Sequence, residues 1–360
     1  MIDDKILMVC DYPLLKNEGG PKGYFNKCIV NNLPHNVHLL NEVIPKKISI
    51  QKKVLLRLDK LYIILKRKKY SNKNLANKFI KIEKYKFLYF HDMYSFYDVI
   101  HLIKKDQVVL FQSHAPEIPS LEVYNIGVRG KKLEFVKLVE KRAFERANYL
   151  ILPNKQCLTI YSSLLSKNIR VKYLRTGIKP IGKLQEIYID ENKINLFYIG
   201  RRNEVKGFPL LLKTFKKVLK ERDDIRLYIA GNGEKIDYED NIIDLGATNI
   251  AHDWINNMDY VISPNKTSYF DLNIIESIAI GTPLIMTTTE GHSFFKNKIG
   301  IIPITYNNFY EVLIDKSLIN KNYKKEVKKK LLKFYKNELS SEVFKKQLRN
   351  LCDEIISINN

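Results

Sequence analysis

Short runs of apolar residues alternate with longer segments in which apolar residues recur every three or four positions, along almost the whole chain. This alternation is typical of parallel β-strands covered by helices. The first half of the chain predicts strands over 5–10, 37–43, 87–91, 108–114, 149–153 and 171–174. The second half predicts strands over 194–200, 225–231, 241–246, 259–264, 283–288 and 300–304. The pattern therefore predicts an α/β protein with two similar lobes, each built on a parallel sheet.

Residues 178–193 separate the two series of strands. They are polar and follow neither a helical nor a strand period, which favours a linker. We therefore predict an N-terminal domain over 1–177 and a C-terminal domain over 194–335. Two helix-like stretches that break near Ser340 and Ser341 end the chain, and residues 336–360 are predicted to form a helix that packs back on the N-terminal domain.

The charge balance adds a preference for anionic partners. The chain has 61 Lys and Arg against 39 Asp and Glu, a net charge of +22, which would concentrate nucleic acid, phosphorylated metabolites or acidic lipids nearby. The four cysteines form no CxxC pair, which favours a reducing compartment over a zinc site or a disulfide framework. No window approaches the ~18 apolar residues of a membrane span, and the acidic N-terminus does not resemble a signal peptide. We expect a cytoplasmic protein.

Residues 45–86 interleave Lys and Arg with Leu, Ile, Val and Tyr. On a helix this arrangement gives an apolar stripe flanked by cations, which suits an anionic membrane surface. An ordinary helix with its apolar face toward the core and its charged face toward solvent explains the same pattern. Peripheral attachment to the inner face of a membrane is one of two interpretations of this stretch.

The sequence "FYIGRRNEVKGFPLLLKTF" (197–215) places cations where a strand passes into a helix. Arg201 and Lys206 follow the strand that ends at Gly200, so they are predicted at the carboxyl edge of the second sheet, where open parallel sheets bind ligands. The next helix begins at Gly207 and offers free amides and a partial positive charge. Together these features suit a diphosphate, and the alternative is a solvent-exposed basic turn.

Further motifs follow in a fixed order: "GNG" at 231–233, "DLGAT" at 244–248, "SPNKTSYFDLNIIE" at 263–276, "AIGTP" at 279–283 and "EG" at 290–291. Together with the Gly-Arg and Lys-Gly pairs of 200–207, they resemble the C-terminal lobe of the retaining GT-B glycosyltransferases of family 4. The resemblance covers about 194–304 and extends more weakly over the first lobe. It implies a GT-B fold, with two Rossmann-like lobes and an intervening cleft.

The resemblance implies specific roles for the matching residues. Arg201 and Lys206 would hold the donor's diphosphate and stabilise the charge that grows on it as the sugar leaves. Glu276 would accept hydrogen bonds from the ribose hydroxyls, unless it is a surface glutamate of a helix. The amides of Asn273 and Ile274 could face the phosphates, and Gly246 and Ala247 would lie beside the base. The implied donor-binding residues also include Gly200 and Leu272.

One position departs from the family pattern. Eight residues before Glu276 the family usually has a glutamate that binds hydroxyls of the donor sugar, and this chain has Ser268. Asp271 stands where the family commonly has glycine. Either Asp271 provides part of the sugar contact, or the donor differs from the usual hexoses, or the site is weakened.

The first lobe offers weaker candidates. Gly19 and Gly20 lie in a segment that resembles the family's glycine-rich loop, and glycine permits close approach of the backbone to a phosphate or sugar; a plain turn is the alternative. His114 ends a strand where the family has a histidine near the transferred sugar. His91 also ends a strand, and Glu117 is a candidate for acceptor hydroxyls. A buried structural histidine and a helix-capping glutamate are the alternatives for these residues.

Family members retain the anomeric configuration by front-face substitution, in which the leaving diphosphate oxygen accepts the acceptor's proton. Such a reaction needs cations and placement of the substrates rather than a nucleophile and a base. No Asp-x-Asp element suggests a required metal, so we expect no cofactor beyond the nucleotide-sugar substrate. The expected acceptor is a glycan, such as a lipid-linked precursor of capsule or lipopolysaccharide.

Two other kinds of function stay open on the sequence. A nucleotide-sugar epimerase or an inactive GT-B subunit is compatible with Ser268. A nucleic-acid-binding protein is compatible with the charge of +22, but that interpretation does not explain the ordered glycines and Glu276, so we expect no nucleic-acid partner.

Overall fold

The computed structural model describes residues 2–9, 20–30, 32–40, 82–237 and 239–359. The chain divides into two compact units. The first contains Met1–Leu15, Ile29–Arg175 and Lys345–Asn360, and the second contains Lys16–Cys28 and Thr176–Phe344. Gly19 lies outside the described residues, as does most of the basic stretch of 45–86.

Twelve strands lie in the described part of the chain. Those of the first unit are β1 (Ile2–Val9), β2 (Val37–Leu39), β3 (Tyr85–Phe90), β4 (Val108–Gln112), β5 (Tyr149–Leu152) and β6 (Arg170–Tyr173). Those of the second unit are β7 (Ile194–Ile199), β8 (Ile225–Ala230), β9 (Ile242–Gly246), β10 (Tyr260–Ser263), β11 (Leu284–Thr287) and β12 (Ile301–Ile304). Each corresponds to one of the predicted apolar runs, with ends shifted by up to four residues.

The α-helices are α1 (Gly20–Tyr24), α2 (Met93–Val99), α3 (Pro119–Asn125), α4 (Lys131–Arg146), α5 (Leu158–Tyr161), α6 (Phe208–Val218), α7 (Ala251–Asn257), α8 (Leu272–Ile280), α9 (Phe309–Ile314), α10 (Tyr323–Phe334) and α11 (Ser341–Asn359). Short 3-10 helices span Ile82–Lys84, Ile100–Leu102, Lys155–Cys157, Ser162–Leu164 and Glu290–Phe295, and π-helical turns span Phe25–Ile29 and Tyr335–Leu339. The predicted break between the last two helices falls at Ser340.

The first unit contains a six-stranded parallel sheet in the order β2-β1-β3-β4-β5-β6. The central strands β3, β4 and β5 are buried along nearly their whole length. Strands buried on both faces need continuous apolar runs rather than alternation, and this explains why the hydrophobic pattern located them.

The second unit contains a six-stranded parallel sheet in the order β12-β11-β10-β7-β8-β9. Counted from β7 as the first strand, this is the 3-2-1-4-5-6 order of Rossmann sheets. The strand order reverses between β7 and β10, which pair through Leu196 with Tyr260 and Phe197 with Val261. Ligands of such sheets bind at the carboxyl ends of the strands at this switch point.

Helix α6 shows how the second unit forms its core. Phe208, Leu211, Phe215 and Val218 recur at helical spacing and are all buried, because they face the sheet while the lysines between them face solvent. The predicted fold class, two Rossmann-like lobes with parallel sheets, is confirmed by the two sheets.

The terminal helix α11 passes from the second unit into the first at Lys345. Within the first unit, Asn36 Nδ2 donates to Asp353 Oδ1 at 2.8 Å, and the Arg175 amide donates to Gln347 Oε1 at 3.1 Å. Residues 178–193 belong to the second unit. The limits predicted from sequence, at 177, 193 and 335, stay predictions of where each domain begins and ends.

Candidate active site

A lysine and an aspartate meet at the switch point of the second sheet. Lys206 follows β7 and Asp271 follows β10, and Lys206 Nζ lies 2.7 Å from Asp271 Oδ2. The turn after β7 is fixed by Asn203, whose Oδ1 accepts from the Lys206 amide at 3.0 Å. The switch point therefore presents a lysine that is held in place by contacts from the segment after β7 and from the segment after β10.

Asp271 is kept ionised by its neighbours. Asn265 Nδ2 donates to Asp271 Oδ2 at 2.7 Å, and His292 Nε2 lies 3.3 Å from the same oxygen. Burial favours the neutral carboxyl, but Lys206 and His292 outweigh this effect and hold the pKa of Asp271 well below its ordinary value. Asp271 thus acts as an anchor for Lys206.

The neighbouring arginines of the turn differ in role. Arg202 is almost fully buried and forms an ion pair with Asp244 of β9, and its Nη1 lies 2.7 Å from Asp244 Oδ2. That pairing holds the pKa of Asp244 well below its usual range. The Arg201 side chain is exposed, and its carbonyl accepts from the Tyr198 hydroxyl at 2.6 Å. Of the two arginines, only Arg201 presents its side chain to solvent at the carboxyl edge of the sheet.

Helix α8 begins directly after Asp271, so its first turn also lies at the switch point. Asn273 Nδ2 donates to the Ile199 carbonyl at 3.1 Å, which ties the helix to the end of β7. The Ile274 amide donates to Asn273 Oδ1 at 3.0 Å. Leu272 and Asn273 occupy the first two positions, where helix amides have no partner within the helix.

Glu276 lies one turn further along α8 and is only 7% exposed. Its Oε1 lies 2.5 Å from Lys27 Nζ and 3.3 Å from His252 Nε2. Burial acts to raise the pKa of Glu276, but His252 and Lys27 together lower it below the ordinary value. The second unit therefore holds a buried, ionised carboxylate whose two partners the sequence did not reveal.

Ser268 is completely buried, in the segment between β10 and α8. Its amide donates to Glu290 Oε2 at 3.0 Å, and its hydroxyl donates to the Thr289 carbonyl at 2.5 Å. Asp271, three residues later, is paired with Lys206, and its part in binding the donor sugar stays a prediction.

Gly200, Gly246 and Ala247 end β7 and β9 at the same edge of the sheet. The Gly200 amide pairs with the Ala230 carbonyl at 3.1 Å. Gly246 adopts a φ of +63° with open space around it, and Ala247 is exposed. Because β8 separates β9 from β7, these two residues lie to one side of the Lys206–Asp271 pair.

Two histidines of the first unit meet at the carboxyl ends of β3 and β4. His91 Nδ1 lies 3.1 Å from His114 Nε2, and the two rings are stacked. Burial lowers the pKa of His114 to about 3, and burial together with His114 lowers the pKa of His91 well below its ordinary value. Both imidazoles are therefore neutral near pH 7, so one donates and the other accepts in their shared hydrogen bond.

The other candidates of the first lobe are dispersed. Gly20 begins α1 with a φ of +60° and belongs to the second unit. Glu117 accepts from Asn125 Nδ2 at 3.1 Å. The sequence analysis missed Lys27, His252, Asn265, His292 and Glu290. Lys27, His252 and His292 lie outside the motifs, and Asn265 and Glu290 lie inside motifs that did not reveal what their side chains contact.

The described ranges, from 2–9 to 239–359 with their gaps, contain no group of three or more His, Cys, Asp or Glu side chains that could hold a metal ion. No helix within them is both long enough and apolar enough to cross a bilayer.

The comparisons with known proteins agree with this architecture. Residues 193–309 match the family described as Glycosyl transferases group 1. A lipopolysaccharide 1,2-N-acetylglucosaminetransferase of Salmonella typhimurium is 26% identical over 182 residues, which are 45% of this chain and 44% of that protein. The capsular polysaccharide biosynthesis glycosyltransferase CapM of Staphylococcus aureus is 22% identical over 313 residues, or 74% of this chain and 82% of CapM.

The sucrose-phosphate synthase of Thermosynechococcus elongatus shares the fold with a TM-score of 0.62 at 15% identity, over 98% of this chain and 99% of that one. The chain spans less than half the length of the Salmonella relative. The two Rossmann-like units give the chain a GT-B fold, and the match to the glycosyl transferases group 1 family lies within the second unit.

Proposed function

We propose that this chain is a retaining glycosyltransferase that moves a sugar from a nucleotide-diphosphate donor to a glycan. The names of the Salmonella and Staphylococcus relatives refer to lipopolysaccharide and to capsular polysaccharide. They support a surface polysaccharide as the acceptor class, and we propose a lipid-linked precursor of it as the acceptor.

One observation carries the proposal: the switch point of a Rossmann sheet presents a lysine anchored by a carboxylate, beside a helix N-terminus and a buried, ionised Glu276. A diphosphate has the charge that Lys206, Arg201 and the first amides of α8 attract. The hydroxyls of a ribose are donors that suit the Glu276 carboxylate. A nucleotide diphosphate offers both groups in one molecule.

The reaction follows from this placement. As the bond between the sugar and the diphosphate breaks, negative charge grows on the leaving oxygen. Lys206 is already oriented by Asp271 and Asn203, so it can stabilise that charge without reorganisation. Arg201 adds a second cation. In front-face substitution the leaving oxygen takes the acceptor's proton, so none of these groups must act as a base.

The acceptor side of the proposal uses the first unit. His114 and His91 are neutral, so they would orient hydroxyls by hydrogen bonds and would not provide a positive charge. Glu117 is a weaker candidate for the same task. We also propose that Gly19 and Gly20 border the donor, and that Gly246 and Ala247 border its base.

We propose a cytoplasmic site of action on the inner face of an anionic membrane, with no metal requirement. The support is the charge of +22 and the basic stretch of 45–86. Flotation with vesicles containing about one third phosphatidylglycerol should carry the protein upward, and 0.5 M NaCl should release it. Equal flotation with neutral phosphatidylcholine vesicles would contradict an electrostatic attachment.

The donor site is tested by thermal shift with UDP-, GDP- and ADP-sugars, because a ligand that binds the native state raises its melting temperature. Glu276→Gln should weaken nucleotide binding by about 10-fold or more. Lys206→Met should lower kcat/KM by about 100-fold. Lys213→Met, which removes an exposed lysine from α6, is the matched control and should leave both quantities unchanged.

Wild-type behaviour of both Glu276→Gln and Lys206→Met would exclude this donor site. NMR of the product tests retention, since the transferred sugar should keep the anomeric configuration that it has in the donor. Conversion of the nucleotide sugar to its epimer without an acceptor would instead favour an epimerase.

A further inference from the structure

Three carboxylates surround the N-terminal end of α8, and they are held in different ways. Asp271 is paired with Lys206, and Glu276 is paired with Lys27 and His252. Glu290 has no cation partner within the part of the chain that the structure describes. In a protein with a net charge of +22, a carboxylate left without a cation at this edge of the sheet requires an explanation.

Glu290 is held by a neutral donor, the backbone amide of Ser268. Its Oε2 accepts from the Ser268 amide at 3.0 Å, and the Ser268 hydroxyl lies 3.4 Å from the same oxygen. The side chain is partly exposed, and among the described residues its other oxygen, Oε1, has no donor. Such a carboxylate is fixed in place and still able to accept hydrogen bonds.

The backbone at Glu290 is strained. Its φ is +30°, in a region that residues with a Cβ rarely adopt. The following residue, Gly291, would enter such a conformation more easily. A strained backbone conformation persists only where contacts with the surrounding structure hold the residue in it, and such residues are concentrated at ligand sites.

Glu290 is connected to the proposed diphosphate site. It follows β11, which is the neighbour of β10 at the carboxyl edge of the sheet. The His292 amide donates to the Ser268 hydroxyl at 3.3 Å, and His292 Nε2 lies 3.3 Å from Asp271 Oδ2, the anchor of Lys206. A short chain of contacts thus joins Glu290 to the cation that would hold the leaving group.

An unneutralised carboxylate repels phosphate and accepts from hydroxyls, so Glu290 fits the polyhydroxylated part of a donor rather than its diphosphate. We propose that Glu290 binds hydroxyls of the transferred sugar and so contributes to donor specificity, with Ser268 holding it in place. This inference rests on the proposed function, and it assigns to Glu290 the task for which the chain lacks a carboxylate at 268.

The experiment measures what the sugar adds to nucleotide affinity. Binding of UDP-glucose, UDP-N-acetylglucosamine, GDP-mannose and ADP-glucose is compared with binding of UDP, GDP and ADP, by calorimetry on the full chain. In the wild type at least one nucleotide sugar should bind more tightly than its own diphosphate. Glu290→Gln should remove about 10- to 100-fold of that advantage, the range for hydrogen bonds to a charged acceptor. The affinity for the diphosphate alone should change less than about twofold.

Two further variants separate binding from folding. Glu290→Gly removes the carboxylate and relieves the strained φ, which offsets part of the cost of leaving the Ser268 amide without its acceptor, so it should show the same loss of sugar affinity while still unfolding in a cooperative transition. Asn297→Gly is the matched control, because Asn297 also has a positive φ, of +67°, and is exposed in the same segment. It should leave sugar binding unchanged.

The failures are distinguishable. The role of Glu290 is wrong, and the proposed function stands, in either of two cases. In the first, the diphosphates bind but no nucleotide sugar binds more tightly than its own diphosphate. In the second, both Glu290 variants keep the full difference in affinity between nucleotide sugar and diphosphate. An equal loss in Asn297→Gly would also refute a specific role of the carboxylate. If no nucleotide binds the wild type, the proposed function fails and this inference fails with it.

Discussion

Gly207 should be intolerant of even a single methyl group. It adopts a φ of +66° at the start of α6, where its amide donates to the Glu204 carbonyl at 2.9 Å. A Cβ built on Gly207 would lie 1.8 Å from the carbonyl oxygen of Pro264. Since Pro264 directly follows β10, this close approach joins the helix after β7 to the end of its neighbouring strand, beside Lys206.

The cost of Gly207→Ala has two parts. An alanine in the left-handed region costs about 1–2 kcal/mol. Ordinary carbon–oxygen contacts lie at about 3.3 Å, so the new methyl group would force the backbone apart by more than 1 Å, and such overpacking costs about 1–3 kcal/mol. The sum, roughly 2–5 kcal/mol, should lower the melting temperature by about 4–20 °C at about 2–4 °C per kcal/mol.

Gly246→Ala is the matched control. Gly246 has nearly the same φ, +63°, but a Cβ there would meet no atom within 4 Å. Only the conformational cost of about 1–2 kcal/mol remains. Differential scanning calorimetry of both variants should therefore show Gly207→Ala melting about 2–12 °C below Gly246→Ala. Equal melting temperatures would refute the argument that α6 and the end of β10 are packed in contact at the switch point.

Three further predictions concern charged and titratable groups. Arg202→Leu leaves the half-buried Asp244 without its cation, so denaturation by guanidinium should show a loss of about 1–3 kcal/mol, and the double variant with Asp244→Leu should recover part of it; no recovery would contradict the pairing. The pKa of Glu276 is lowered in the folded protein, so its contribution to stability is present above its unfolded value and is lost as the pH falls through the lower folded value. Lys27→Met removes one of the groups that lower the pKa of Glu276, so nucleotide binding, measured by calorimetry, should be lost at a higher pH than in the wild type. If binding is lost at the same pH in both proteins, Lys27 does not control the ionisation of Glu276. His114 has a pKa of about 3, so His114→Asn should slow transfer without altering the shape of the rate profile between pH 5 and 8; loss of an inflection near pH 6.5 would show that the ring titrates.

The hydrophobic pattern of this chain determined its strands and the order of its elements. Buried parallel strands such as β10 and β11 require continuous apolar runs, and this requirement is local enough to be recognised in any short window. The turn from Gly200 to Gly207 was also recognisable, because glycines and cations after a strand have a direct physical use. Glu276 came from the resemblance to a family.

The tertiary structure decided which side chains meet. Sequence alone could not tell that Arg202 is buried against Asp244, 42 residues away, while the neighbouring Arg201 is exposed. Lys27 reaches Glu276 across 249 residues, and Glu290 reaches Ser268 across 22. Such pairings depend on the order in which strands lie side by side, and the reversal between β7 and β10 is set by packing of the whole sheet. Local sequence patterns determine whether a segment forms a strand, a helix or a turn. The contacts that form a site arise only when segments distant in sequence meet at the same edge of a sheet.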